Sequence, residues 1–281
     1  MASNRLPQVR RTKSDKLAAS HSRIEGFKVS SAFAPEFVAQ LLVDARSAHR
    51  PVAACAVPGD AEAYAVQDAV ARALRWFEGG GAGHWKSGAA SLQSGFTHAR
   101  LPPSGVRGSP AELGALPFNW RGIEAEIALR LGADVDAARA ARLDADSALA
   151  LVDAMSVSIE VVDSRWAEGL QAPAWCKLAD LQSHGALVLG AWKPYQAPDW
   201  AAQRCTVRIG ERAVQAFRGT HALGDPAAVL LPWLRHATRN GLGLAAGSVV
   251  TTGTWCGLLM AAAGDEVQVD FDGIGSASCR F

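Results

Sequence analysis

The sequence contains few cysteines, and none of them belongs to a CxxC pair. Five are scattered at irregular spacing along 281 residues: Cys55, Cys176, Cys205, Cys256 and Cys279. An odd number without paired spacing argues against a disulfide framework and against a cysteine-ligated zinc site. We therefore expect reduced thiols and a cytoplasmic location.

The sequence also lacks a strong charge of one sign and lacks long apolar runs. Twenty-eight basic and 27 acidic residues give a net charge of +1, so no overall field attracts nucleic acid or anionic lipid. No apolar stretch reaches the roughly 20 residues that span a bilayer, and the N-terminus lacks the apolar core of a secretory signal. The expected partner is a small molecule, with neither nucleic acid nor membrane involved.

Composition and texture divide the chain into three parts. Residues 1–30 are rich in Lys and Arg and have little apolar periodicity, which predicts a disordered basic tail; an artificial extension and a weak organelle-targeting peptide are the alternatives. Residues 31–100 are predicted to form an N-terminal helical portion that ends in a glycine-rich loop. Residues 101–281 are predicted to form a β-rich catalytic portion.

Helical spacing predicts helices over 34–48, from Asp60 onward, from Asp144 or Asp146 to about Met155, and over 225–241. The remaining segments alternate as strands of mixed length. Because the helices and strands do not alternate regularly and no internal repeat is present, the pattern favours an α+β fold over a doubly wound sheet.

The segment GIEAEIALRL, residues 122–131, alternates with a period of two. Apolar residues occupy its odd positions, and its even positions include Glu124 and Glu126. On a strand, residues i and i+2 face the same side, so both carboxylates leave by one face. A second alternating segment, SVSIEVVDSR, places Glu160 on a polar strand face in the same way.

Two glutamates on one strand face lie about 7 Å apart at their Cα atoms, and their like charges repel unless a cation lies between them. Mg²⁺ and Mn²⁺ prefer such carboxylate oxygens. The alternative is that Glu124, Glu126 and Glu160 lie on the solvated face of an antiparallel sheet, where most strand glutamates are found.

Several separated motifs appear in an order typical of one family. They are AYAVQ (63–67), HWKSG (84–88), IEAEIALRL (123–131), SIEVVDSRW (158–166), ADLQSHGALVLG (179–190), GDPAAVLLPWL (224–234), VVTTGT (249–254) and GDEVQVDFDGIGSASCRF (264–281). From about Ala45 to Phe281 the chain resembles the 2-keto-4-pentenoate hydratase and oxo-enoate decarboxylase branch of the fumarylacetoacetate hydrolase superfamily.

The resemblance implies a mixed β-roll with an N-terminal helical portion, usually in a homo-oligomer. It places Mg²⁺ or Mn²⁺ on Glu124, Glu126 and Glu160. It implies a substrate with a 2-oxo or 2-hydroxy-enoate end, such as 2-hydroxypenta-2,4-dienoate from aromatic-compound breakdown. Lys86 matches the family lysine, and is expected either to pair with the substrate carboxylate or, with a lowered pKa, to move a proton.

Two further motifs supply supporting candidates. Asp180 and Ser183 are expected to support the metal ligands through hydrogen bonds, unless they only cap their own turn. Thr252, Gly253 and Thr254 are expected to bind the substrate carboxylate, unless the glycine only marks a bend. The histidines His84, His98 and His184 are interpreted as structural residues.

The sequence departs from the family pattern in three places. It has no acidic residue between KSGAAS and Glu112, Leu181 stands where the family has an amide, and Cys176 stands where an aspartate is common. A metal-dependent hydratase is the leading interpretation. The alternatives are a 2-oxo-enedioate decarboxylase, an acylpyruvate C–C hydrolase, which requires a His–Glu pair, and a non-catalytic relative that binds a keto acid.

Overall fold

The computed structural model describes residues 33–80 and 83–281, so the predicted tail lies outside the described residues. Two helices come first, α1 (Pro35–Ala48) and α2 (Asp60–Ala73), close to the predicted positions. They pack against each other and against the short α5 (Ala174–Ala179). Their shared apolar cluster includes Leu42, Val66 and the fully buried Trp166.

The strands of the described residues form two sheets. Their bounds are β1 His84–Gly88, β2 Thr97–Leu101, β3 Val106–Gly108, β4 Ala111–Glu112, β5 Gly122–Leu131, β6 Val152–Val162, β7 His184–Leu189, β8 Lys193–Pro194, β9 Arg204–Ile209, β10 Gln215–Arg218, β11 Val249–Thr251, β12 Leu259–Met260, β13 Glu266–Phe271 and β14 Gly275–Arg280. The larger sheet has the order β2-β1-β11-β5-β6-β7-β3, with β12 against β5 and β8 against β6. The smaller sheet has the order β10-β9-β13-β14-β4.

The main core lies between the two sheets. The odd residues of β5, such as Ile123 and Ile127, are fully buried and belong to the same apolar cluster as Val267 and Val269 of β13. The even residues of β5 must therefore leave by the other face of the larger sheet. This alternation is the one that the sequence predicts.

Three further helices connect the strands: α3 (Ala137–Arg142), α4 (Ala145–Leu149) and α6 (Leu230–Ala237). Asp144 caps α4 by accepting a hydrogen bond from the Ser147 backbone N–H at 2.9 Å, as one of the two predicted starts requires. The predicted extension of this helix to Met155 is wrong. The chain enters β6 at Val152, because pairing of β6 with β5 outweighs local helical preference.

The predicted glycine-rich loop is also wrong in part, because residues 84–88 and 97–101 form strands of the larger sheet. β1 pairs with β11 in parallel and with β2 antiparallel. β11 comes from a distant part of the sequence, and local composition carries no sign of that pairing. The strand that carries Lys86 is thus continuous with the β-rich portion. No helix among the described residues is long and apolar enough to cross a membrane.

Candidate active site

Three carboxylates meet where β5 and β6 pair. The antiparallel register places Glu124 directly opposite Glu160, and Glu126 lies two residues along the same face. One oxygen of each carboxylate lies within 4.8 Å of the others. Glu126 is 2% exposed and Glu160 is fully buried, so the solvated-face interpretation is wrong for this cluster.

The three carboxylates differ in their proton affinity. Burial raises the pKa of Glu124 to about 8, with a further contribution from the charges of Glu126 and Glu160. Burial and the charge of Glu160 raise the pKa of Glu126 to about 7, although the Gly253 N–H donates to its Oε2 at 3.2 Å. Burial would also raise the pKa of Glu160, but Lys86 and His184 hold it below its usual value.

Lys86 lies on β1 with a side chain that is 12% exposed. Its Nζ forms an ion pair with Glu160 Oε1 and donates to the Gln182 carbonyl at 3.3 Å. Burial opposes the charged form, but Glu160, Glu124 and Glu126 outweigh it and raise the pKa of Lys86. The expectation of a lysine with a lowered pKa is therefore wrong for the metal-free site. The lysine is a cation held beside the carboxylates.

A strained turn carries the residues opposite Lys86. Leu181, Gln182 and Ser183 have φ values of 53°, 58° and 58°, and non-glycine residues rarely adopt this left-handed conformation. Asp180 stabilises the turn from below, because it is fully buried and accepts hydrogen bonds from Arg46 at 2.8 Å and from Arg165 at 2.7 Å. The left-handed backbone is what directs the Gln182 carbonyl toward Lys86.

The predicted hydrogen bonds from Asp180 and Ser183 to the glutamates do not occur in the described residues. The carboxylate oxygens of Asp180 accept hydrogen bonds from the side chains of Arg46 and Arg165 and from the Arg165 backbone N–H. The Ser183 hydroxyl is buried and has no partner within the described chain. Asp180 thus influences the site indirectly, through the shape of the turn.

The Thr252–Thr254 segment lies beside Glu126, but its hydroxyls are engaged elsewhere. Thr252 donates to the Ile127 carbonyl at 2.8 Å, and Thr254 donates to the Gly257 carbonyl at 2.7 Å. Gly253, with φ +105°, uses its N–H to bind Glu126. The segment therefore positions a carboxylate of the cluster, and its three residues line the adjacent cavity.

Glu124 lines two adjoining cavities of about 270 and 400 Å³, which we call together the acidic pocket, and Glu126 lines the smaller one. Both parts are lined by Lys86, Thr97, Glu124 and Gln182. Thr252 and His221 also line the smaller part. Trp175, Leu258 and Lys177 also line the larger part.

Three residues of the site were missed by the sequence analysis. His184 is buried and its Nδ1 lies 3.2 Å from Glu160 Oε1, so it helps to hold a carboxylate of the cluster. Gln182 brings a carbonyl and an amide into the pocket, one residue after the unexpected Leu181. His221 binds the Thr252 carbonyl through Nε2 at 2.8 Å. Gln182 lies in the ADLQS motif and His184 follows it directly, so the motif was a usable signal for both residues. No sequence feature pointed to His221.

The donor set fits a hard divalent cation. Within the described residues, Glu160 Oε2 is buried without a hydrogen-bond partner, and such a lone acceptor is costly unless something binds it. Three carboxylates also bring more negative charge than the single Lys86 balances. Oxygen-only donors of this kind suit Mg²⁺ or Mn²⁺ better than a soft metal. Glu124, Glu126 and Glu160 are the residues that would hold it.

Comparison with known proteins relates the chain to one family. The family model described as "Fumarylacetoacetate (FAA) hydrolase C-terminal" matches residues 102–281. 2-Keto-4-pentenoate hydratase 2 of Dechloromonas aromatica is 30% identical over 266 residues, which cover 88% of this chain and 97% of that protein. 2-Keto-4-pentenoate hydratase 1 of the same organism is 33% identical over 162 residues, and the chain spans only 59% of its length.

The fold also has a solved counterpart. The 4-oxalocrotonate decarboxylase from Pseudomonas putida G7, determined with magnesium and adipate, superposes with a TM-score of 0.74 at 20% identity, covering 89% of this chain and 99% of that one. The α+β roll with N-terminal helices, expected from the sequence resemblance, is thereby confirmed.

Proposed function

The chain belongs to the fumarylacetoacetate hydrolase family, and from this membership and its carboxylate cluster we propose that it is a divalent-metal-dependent lyase of the hydratase type. Its proposed substrate is a 2-hydroxy- or 2-oxo-enoate such as 2-hydroxypenta-2,4-dienoate. The names of the two hydratase relatives support this substrate class. The proposed metal is Mg²⁺ or Mn²⁺.

The observation that carries the proposal is the grouping of the half-buried Glu124 and the buried Glu126 and Glu160 beside Lys86. A protein rarely places three such carboxylates around one lysine without a cation to share. When bound, a divalent ion supplies Lewis-acid stabilisation of negative charge that develops on the substrate's 2-oxygen. A 2-oxo acid presents two adjacent oxygens to such an ion.

The chain's own groups then orient the substrate. Lys86 is cationic, and its Nζ faces the pocket between Glu160 and the Gln182 carbonyl. If Glu160 held a metal, Lys86 would be available to bind the substrate carboxylate or to donate a proton. The Gly253 N–H holds Glu126 at the opposite side.

A second reaction, decarboxylation of a 2-oxo-enedioate, is favoured by one observation. Lys177 lines the larger part of the acidic pocket and is absent from the lining of the smaller part, and its Nζ donates only to the Leu170 carbonyl, at 3.2 Å, within the described residues. A lysine without an acidic partner at that place suits a second carboxylate on the substrate. The 2-oxo acid end would bind in the same way as in the hydratase, and the substrate would then lose CO₂ instead of adding water.

One assay series separates these functions. The purified chain is incubated with 2-hydroxypenta-2,4-dienoate and with a 2-oxo-hexenedioate, with Mg²⁺ or Mn²⁺ and with chelator. Loss of diene absorbance without CO₂ identifies the hydratase, and release of CO₂ identifies the decarboxylase. If neither substrate is turned over in a metal-dependent way, the proposed lyase is contradicted.

The central variant is Glu126→Gln, which removes a charge from the cluster and little packing. We expect metal-dependent activity to fall more than about 100-fold, in the range of a lost catalytic ligand interaction, with an unchanged circular dichroism spectrum. Glu266→Gln changes an exposed strand glutamate and is the matched control. Unchanged turnover in Glu126→Gln would count against the assignment of the site.

We further propose that the protein acts in the cytoplasm as a homo-oligomer on a small-molecule keto acid. All five cysteines lie in the described chain as free thiols, which suits a reducing compartment. Sedimentation analysis tests the oligomer.

A further inference from the structure

A separate cavity of about 480 Å³ lies behind β1, on the face opposite Lys86. Successive strand residues point to opposite faces, and Trp85 lines this cavity while Lys86 lines the acidic pocket. The walls come from α2, from β1 and β2, and from the segment that follows α6. Four of the lining residues are arginines, so we call it the arginine cavity.

Two buried donors beside this cavity have no acceptor among the residues that the structure describes. Trp85 and Arg100 are direct cross-strand partners on β1 and β2, so their side chains share a face. The Trp85 Nε1 and the Arg100 Nε are both buried, and neither has a hydrogen-bond partner within the described residues. Buried N–H groups are almost always paired in proteins, so a donor pair left open beside a cavity points to a bound acceptor.

The charge of the lining points to an anion. The lining holds Arg72, Arg75, Arg100 and Arg239 against Asp68 and Glu78. Glu78 is committed to Arg75 at 2.7 Å. Arg100 forms no ion pair in the described part of the chain. Its guanidinium carbon instead lies 4.0 Å from the centre of the Phe77 ring, which fixes the plane of the group.

The other lining residues include the apolar or aromatic Phe77, Trp85, Leu181 and Leu242, together with the polar Gln67, His236, Asn240 and Ser248. A cavity of this volume lies within the usual range for small-molecule sites. We propose that the arginine cavity binds a small aromatic carboxylate. The carboxylate accepts from the Arg100 guanidinium and the Trp85 N–H, and the ring packs against the apolar walls. A planar guanidinium held by stacking suits a planar carboxylate.

This site is distinct from the acidic pocket, although the two share walls. Trp85 and Lys86 are consecutive, as are Leu181 and Gln182, and in each pair the first residue lines the arginine cavity and the second lines the acidic pocket. A binding experiment must therefore separate the two sites. Metal-free protein helps, because three carboxylates without a metal disfavour an anion in the acidic pocket.

The test uses 4-fluorobenzoate as probe, followed by fluorine NMR and calorimetry with chelator-treated full-length protein. We expect saturable binding that weakens roughly 10- to 100-fold in Arg100→Gln, the effect of losing a hydrogen bond to a charged group. Neutral 4-fluorobenzamide should bind at least tenfold more weakly than the carboxylate. Arg235→Gln, an exposed arginine outside the cavity, and Glu126→Gln, in the acidic pocket, should bind as the wild type does.

A second variant keeps the test decisive if Arg100→Gln unfolds. Leu242 is 60% exposed at the cavity wall, so Leu242→Glu adds a negative charge with little effect on packing. It should weaken 4-fluorobenzoate binding at least tenfold. The inference is overturned if the probe does not bind saturably, if a folded Arg100→Gln and Leu242→Glu both bind it at wild-type strength, or if Glu126→Gln abolishes binding.

Discussion

Metal binding to the carboxylate cluster should release protons, and the number should depend on pH in a defined way. Burial raises the pKa of Glu124 to about 8 and that of Glu126 to about 7 in the metal-free protein. A metal binds only the ionised carboxylates, so each protonated glutamate must lose its proton on binding. Glu160 contributes none near neutral pH, because Lys86 and His184 hold its pKa below the usual value.

The size of the effect follows from these values. At pH 6 the two glutamates together carry about 1.9 protons, and at pH 8 about 0.6. The fraction of molecules with both carboxylates ionised falls about 500-fold from pH 8 to pH 6, and the apparent affinity for Mn²⁺ should fall by the same factor. Because the two carboxylates titrate as a coupled pair, the total number of protons that both release is the quantity to compare with the measurement.

Calorimetry measures this directly. Mn²⁺ is titrated into chelator-treated protein in buffers of different ionisation enthalpy at pH 6, 7 and 8. In Glu124→Gln the proton release at pH 6 should not exceed about 0.9, and the affinity change should shrink to about tenfold. Proton release near zero at every pH, with an affinity that does not change, would refute the electrostatic account of the cluster.

The same shifts determine how stability depends on pH. Because the folded-state pKa values of Glu124 and Glu126 lie above their ordinary value of 4.5, these groups stabilise the metal-free fold below about pH 4.5, and that contribution is lost as the pH rises through about 7 and 8. Mn²⁺ should therefore raise the thermal midpoint more at pH 8 than at pH 6. Equal increases at both values would contradict the prediction.

Three substitutions test other parts of the site. Lys86→Met leaves Glu160 buried without its cation, so the metal-free protein should lose about 3–5 kcal/mol in urea denaturation, and saturating Mn²⁺ should restore part of it; an equal loss with and without Mn²⁺ would argue against the shared-charge account. Gly253→Ala forces a side chain onto a residue at φ +105°, which should cost about 1–3 kcal/mol and weaken Mn²⁺ binding through Glu126. Lys177→Met should raise KM for a 2-oxo-enedioate about tenfold or more and leave the monocarboxylate dienoate unaffected; equal effects on both substrates would exclude a distal carboxylate contact.

The carboxylate cluster could be predicted because its geometry is local. Alternation with a period of two places Glu124 and Glu126 on one face of β5, and the same rule places Glu160 on the polar face of β6. The antiparallel pairing that sets Glu124 opposite Glu160 is then the simplest arrangement of two neighbouring strands. The family resemblance selected the same three residues and supplied the expected metal.

The surroundings of the cluster could not be predicted in the same way, because they depend on contacts between distant segments. β1 exists only because β11 and β2 pair with it, and its glycine-rich composition favours a loop. The turn at 181–183 adopts left-handed φ values against residue preference, because Asp180 and its two arginines hold it. His184 follows the ADLQS motif directly, but its contact with Glu160 depends on the pairing of β7 with β6.

One consequence of the geometry concerns which groups remain available for chemistry. The hydroxyls of Thr252 and Thr254 bind backbone carbonyls, and His184 faces Glu160 with a ring that is buried. His184 and Glu160 therefore form a His–Glu pair. Because its carboxylate belongs to the cluster and its imidazole is buried, the pair is poorly placed to activate water, which disfavours the hydrolase alternative. Lys86 is the cation that lines the acidic pocket beside the carboxylates. For the proposed choice between hydration and decarboxylation, Lys177, which lines only the larger part of that pocket, is the residue to change first.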